Sequence, residues 1–166
     1  MAIHDYTDEK NVNDFNGVPA GTYSCMIQSP VRRIAKDSNN IVFDLHHLII
    51  DGPFEGKTIE DSVTFTPNTG PIFKALYAAC GLPVNSVDDG DASPLEGRPL
   101  LVDVIVQWSK KNEHGKWDTV NIPSDADLDV VNETALKEGA RLRNIVSYGG
   151  YHLPADGTPS AEGTQL

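Results

Sequence analysis

Apolar residues recur at every second position through most of this sequence, then switch to helical spacing between residues 68 and 81 before returning. That order of periods is the strongest constraint on the fold, because a strand alternates faces every residue and a helix repeats every 3.6. Tyr23, Cys25 and Ile27 alternate with Ser24, Met26 and Gln28. Pro30 is expected at a bulge or a strand end. Ile41, Phe43, Leu45 and Ile49 share one face of a second strand, with Val42, Asp44, His46 and Leu48 on the other. Ile59, Val63 and Phe65 oppose Thr58, Glu60, Ser62 and Thr64 in a third. The period then changes. Asn68 is the expected cap of a helix with Pro71 in its first turn. Ile72, Phe73, Leu76, Tyr77 and Cys80 form its apolar stripe, and Gly81 stops it. Leu100, Val102, Val104, Val106 and Trp108 mark a fourth strand. A turn at Asn112–Gly115 leads to a fifth, Trp117 to Ile122.

The order β-β-β-α-β-β predicts a mainly β chain, a five-stranded OB-fold-like barrel. A short acidic helix around 128–138 and a weakly alternating Arg141–Tyr148 segment follow. The predicted organisation is a flexible acidic arm at 1–16, an OB-fold-like domain at 17–148 and a disordered Gly, Pro, Ser and Thr-rich tail at 149–166. Cys25 and Cys80 lie in apolar runs, too few for a disulfide framework, so they read as reduced core residues. No basic segment with an apolar stretch opens the sequence and no run is long enough to span a bilayer, so a cytoplasmic protein without a membrane partner is expected.

The formal net charge is -11. On its face that argues against a nucleic-acid partner, whose phosphates would be repelled. The distribution matters more than the sum. Residues 1–15 carry -3, while 81–96 and 123–138 carry -4 each, so connecting segments hold all the excess and the remainder is balanced.

OB folds bind oligonucleotides on the face of strands two and three and in the loops joining strands 1–2 and 4–5. Those loops map to Val31–Asn40 and Ser109–Lys116. The first contains Arg32, Arg33 and Lys36, and the second Lys110, Lys111 and Lys116, six of the thirteen Lys and Arg residues. Cations beside a groove are what single-strand binding requires. His46 and Lys57 join the candidate surface from the second and third strands. Trp108 and Trp117 bracket the 4–5 hairpin. Trp117 is out of phase with Val120 and Ile122, which points it away from the core, where an indole can stack on a base. The plainer alternatives are solvated loop cations, a Trp117 that covers a cross-strand neighbour, and a Trp108 that plugs the rim of the core.

His46 and His47 are strand neighbours on opposite faces and cannot chelate one ion together. His47, on the core face, reads as a hydrogen-bonded buried imidazole. The Asp125–Asp129 run lacks the glycine and closing glutamate of a calcium loop. No nucleophile elbow, phosphate loop, HExxH or dinucleotide fingerprint is present, so no catalytic residue, metal or cofactor is expected.

Val18-Pro19-Ala20-Gly21-Thr22-Tyr23, and a second strand ending Ile50-Asp51-Gly52-Pro53-Phe54-Glu55-Gly56-Lys57, resemble a bacteriophage family long described as of unknown function. Lys74-Ala75-Leu76 to Cys80-Gly81-Leu82, Leu95-Glu96-Gly97-Arg98-Pro99-Leu100, and Asn144-Ile145 with Tyr148 also fit, so the resemblance covers roughly residues 17–148. Its members resemble phage single-stranded DNA-binding proteins with OB folds. The resemblance implies a role in phage replication or recombination and carries over no catalytic residues. One departure is the end, Ser160–Leu166, which is nearly uncharged where many single-strand binders carry an acidic recruiting tail.

The expected function is therefore sequence-tolerant binding of single-stranded DNA, with replication or recombination proteins as further partners and open strand edges available for a homodimer. A rival is an acidic interaction or inhibitor module that engages a nucleic-acid enzyme. A third reading is a nuclease using Asp44, Asp61 or Asp103.

Overall fold

The computed structural model describes residues 15–154, save the side chain of Ser86. Most of the arm expected at 1–16, and residues 155–166 of the expected tail, lie outside the described residues. Six strands form: β1 Gly21–Ile34, β2 Ile41–Ile49, β3 Thr58–Thr64, β4 Pro99–Lys111, β5 Trp117–Ile122 and β6 Arg141–His152. Two helices also form, α1 Gly70–Ala79 and α2 Leu128–Lys137, with short 3-10 turns at Val84–Ser86 and Ser93–Leu95 between α1 and β4. The hydrogen-bonded order is β3-β2-β1-β4-β5, with β6 also paired to β4. The chain is mainly β, as the alternation requires. Among the described residues six strands form where five were expected, and no pairing joins β3 to β5 to close their path. The sixth strand is the weakly alternating segment, and it runs on through Gly149 to His152. Residues 149–152, expected in the tail, are strand instead. Backbone pairing overrides the local glycine preference there.

The described chain divides into two compact units, residues 15–20 with Ile105–Asn144, and Gly21–Val104 with residues 145–154. In the second unit, β1 and β2 pair antiparallel with a shift between Gln28 and Val31. Ser29 takes φ 50° at this bulge, just before Pro30, which has no N–H to donate. The Ser29 N–H is satisfied by the Glu96 carboxylate at 3.2 Å. Phe43, Leu45, His47 and Ile49 are buried along β2 and Ile59 and Val63 along β3. Helix α1 adds Phe73, Leu76 and Tyr77. Phe65 stacks on Phe73 with centroids 3.6 Å apart, and Phe43 meets both edge-on at 5.0 and 5.8 Å. The cap of α1 is Thr69 rather than Asn68. The Thr69 hydroxyl turns back to accept from the Thr66 N–H at 2.9 Å, which locks the preceding turn instead of the first helical amides. Gly81 ends the helix with φ +72°, a left-handed conformation that only glycine takes cheaply.

In the unit of residues 15–20 and Ile105–Asn144, Asn144 clamps the entry to the domain. Its Oδ1 accepts from Val18 N–H and its Nδ2 donates to Val18 O, both at 2.8 Å. Helix α2 starts at Asp127, whose carboxylate accepts from the amides of Asp129 and Val130. Part of the acidic linker thus has a structural use. Among the described residues no helix is long and apolar enough to cross a membrane.

Candidate nucleic-acid interface

The β4–β5 hairpin is built by the register Lys111↔Trp117, Ser109↔Thr119 and Gln107↔Asn121. Directly paired residues share a face, so Trp117, Lys111, Ser109 and Gln107 stand on one side of this ribbon. The turn is closed by Asn112, whose Oδ1 accepts from the amides of His114 and Lys116 at 2.9 and 3.0 Å. Gly115 takes φ +77° there, as a tight hairpin demands. Trp117 is 60% exposed. The Lys111 ammonium lies 5.9 Å from its ring centroid, within reach of the electron-rich face.

A groove of about 430 Å³ opens beside this indole, lined by Ser109, Trp117, Arg141, Leu142 and Arg143. Arg141 and Arg143 occupy alternate positions of β6, hence one face. Arg143 donates to Gln107 Oε1 at 3.3 Å. The groove therefore combines an aromatic wall with two guanidinium groups. Sequence reasoning missed both arginines, although Arg-Leu-Arg at the start of an alternating segment was the available signal. Ser109 is buried, and its Oγ has no hydrogen-bond partner among the described residues.

The other hairpin residues behave differently. Lys110 stands opposite Asp118, and Lys116 is exposed. Trp108 is half-buried while its neighbour Ser109 is buried, so the alternation slips at the end of β4. Val120, expected to face the core, is 60% exposed, because nearly all of β5 is open to solvent on both faces.

In the Gly21–Val104 unit, Arg32 and Arg33 lie within β1 rather than in the loop expected at 31–40. The strand takes in residues 31–34 of that loop. Arg32 Nε donates to Asp89 O at 2.7 Å, and Arg33 Nε pairs with Asp44 Oδ2 at 2.6 Å. Both are exposed but already engaged. Lys36 is exposed in the turn, and Lys57 is exposed just before β3. His46 is half-buried on β2 between Gln28 and Glu60, with no partner for its buried Nδ1 among the described residues. The two basic hairpins thus belong to different units.

The three aspartates considered for a nuclease are each held separately. Asp44 accepts from Arg33 and from Ser62 Oγ at 2.6 Å. Its partial burial pushes the carboxyl up, but these hydrogen bonds and the Arg33 and His46 charges prevail and hold it below its ordinary value. Asp61 faces the opposite side of the sheet, paired with Leu45, and binds His47 and Tyr151. Asp103 accepts from Thr22 Oγ1 at 2.7 Å and His152 Nε2 at 2.6 Å. Among the described residues no group of three or more His, Cys, Asp and Glu side chains is arranged to hold a metal ion.

A family model described as "Protein of unknown function (DUF669)" matches residues 5–131. The chain belongs to this family. No curated protein matches it. The DUF669 match includes Trp117 and both basic hairpins and stops before Arg141 and Arg143 on β6.

Proposed function

We propose that this DUF669 member is a single-stranded DNA-binding protein of the phage type, acting in replication or recombination without strong sequence preference. One observation carries the reading: Trp117 stands exposed beside Lys111 at a groove that two arginines also line. Stacking on an indole is sequence-tolerant because every base offers a π-face, and neighbouring cations follow the phosphates. The sequence resemblance to phage single-strand binders and the OB-like order of elements give further support, as does the concentration of the -11 charge in residues 1–15, 81–96 and 123–138, outside both basic segments. The finer architecture, an OB-like barrel assembled from these strands, belongs to the same proposal. So do a location in the cytoplasm of a host cell, homodimer formation through open strand edges, and replication or recombination proteins as partners. Binding uses no metal or cofactor.

The test is titration of tryptophan fluorescence with oligo-dT at several salt concentrations, beside duplex DNA. Quenching that weakens linearly in log salt, with a slope of about -0.7 per phosphate contacted, supports the reading. No quenching and no gel shift at low salt overturns it. In that case capture of a nuclease or polymerase without any DNA affinity would favour the acidic interaction or inhibitor module, the reading that the net charge of -11 motivates.

A further inference from the structure

The buried hydroxyl of Ser109 is the least explained polar atom in the unit that holds the groove. It lines the groove, its residue is only 6% exposed, and its Oγ has no partner among the described residues. Folded proteins satisfy nearly all such groups, and a buried donor left without a partner is destabilising. A hydroxyl kept there at a cost is accounted for if a ligand completes it. The surrounding residues say what ligand. Trp117 offers a flat apolar face, and Arg141 and Arg143 offer two forked donors that match phosphate oxygens. Leu142 also lines the groove. An aromatic wall, an anion clamp and a lone hydroxyl in about 430 Å³ suit one base, its sugar and its phosphate.

We propose that this groove is a slot for a single nucleotide of the bound strand, resting on the single-stranded DNA reading above. The base stacks on Trp117, the phosphate lies between Arg141 and Arg143, and the base edge or sugar oxygen completes the Ser109 hydroxyl. Ser is suited to a sequence-tolerant slot. Its hydroxyl rotates to donate or to accept, so it pairs with whichever edge a base presents. The slot lies wholly within the unit that contains β5. Arg143 leaves its bond to Gln107 Oε1 when the phosphate arrives, an exchange of a neutral acceptor for a charged one.

The test compares Ser109→Ala and the double variant Arg141→Gln/Arg143→Gln with the unaltered chain, using oligo-dT and oligo-dA titrations and thermal unfolding of the free proteins. Ser109→Ala should unfold at the same or a higher temperature than the parent, since it removes an unsatisfied group, yet bind both strands about three- to tenfold more weakly. The arginine variant should lose about tenfold or more at low salt and flatten the salt slope by about 0.7 for a phosphate no longer contacted. Full affinity and an unchanged slope in both variants, with the parent binding normally, overturns the slot and leaves the function standing. Failure of the parent to bind either strand overturns the function and the slot together. Should Ser109→Ala unfold earlier than the parent, the hydroxyl has a structural partner and the slot is likewise overturned.

Discussion

Inside the core, His47 Nε2 meets Asp61 Oδ2 at 3.0 Å. His47 is fully buried and the carboxylate side chain is 11% exposed. Tyr151 from β6 donates its hydroxyl to the same oxygen. One acid on β3 thus joins β2 to β6, and removing it would strand two buried polar groups. Asp61→Ala is expected to destabilise the chain by about 2–5 kcal/mol, the cost of leaving two buried polar groups unsatisfied. Tyr151→Phe removes a single hydrogen bond and should cost about 1 kcal/mol. Urea unfolding followed by circular dichroism measures both, and an Asp61→Ala loss no larger than that of Tyr151→Phe would contradict the bridging role.

Acid stability should depend on Asp44 and Asp103. The Asp103 carboxyl is pushed up by partial burial, but hydrogen bonds from His152 and Thr22 and the charge of His152 outweigh this and lower it. A carboxylate whose folded pKa lies below its unfolded value contributes stability above the unfolded value and loses it as pH falls through the folded one. An unperturbed aspartate titrates at about 3.9, so this contribution is present above roughly pH 4 and fades below it. Asp44→Asn and Asp103→Asn should each show a shallower fall in unfolding temperature below pH 4 than the parent. Parallel profiles in all three proteins would show that these bonds contribute nothing to acid stability.

The cysteines should be inert in the native chain. Cys25 and Cys80 are buried, and burial pushes both thiols up to about 12. The thiolate is the reactive form, so both populate it scarcely at pH 8. Ellman's reagent should report no free thiol under native conditions and two after denaturation. Rapid native labelling would show that one of them reaches solvent through local opening.

Replacing Trp117 separates stacking from charge. Trp117→Ala should weaken oligo-dT binding by about five- to 150-fold, the range of one lost base stack of 1–3 kcal/mol. Because the indole is mostly exposed, the unfolding midpoint should move little. Lys74→Ala, on the exposed side of α1 in the other unit, is the control and should change affinity less. Equal losses in the two variants would place stacking elsewhere.

Much of the fold was legible because alternation is a local property. β2 shows its two faces in the sequence, and His47 was readable as a buried imidazole from phase alone. Its partner was not. Asp61 sits in phase with Ile59 and Val63, but a carboxylate at a core position has no meaning until a partner on another strand is known. The site was legible in part for the same reason. Trp117 and Lys111 are close in sequence, so the hairpin that joins them could be read. Arg141 and Arg143 come from a strand that pairs with β4 across the intervening β5 and α2, and no local signal records that pairing.

The sequence by itself determined the periods: which residues share a face, where α1 stops, and that Pro30 falls at an interruption of β1. Those depend on sterics and hydrogen bonding within a few residues. Only the tertiary structure decided which faces are covered. It turned residues 31–34 of the expected first loop into strand, left Val120 exposed while burying Ser109, and drew β6 into the sheet despite its glycines. Burial belongs to what lies opposite a residue, and what lies opposite is set by pairings between distant segments. Trp117 shows both sides of this: its place at the end of a hairpin was written locally, and the arginines that share its groove were supplied by the fold.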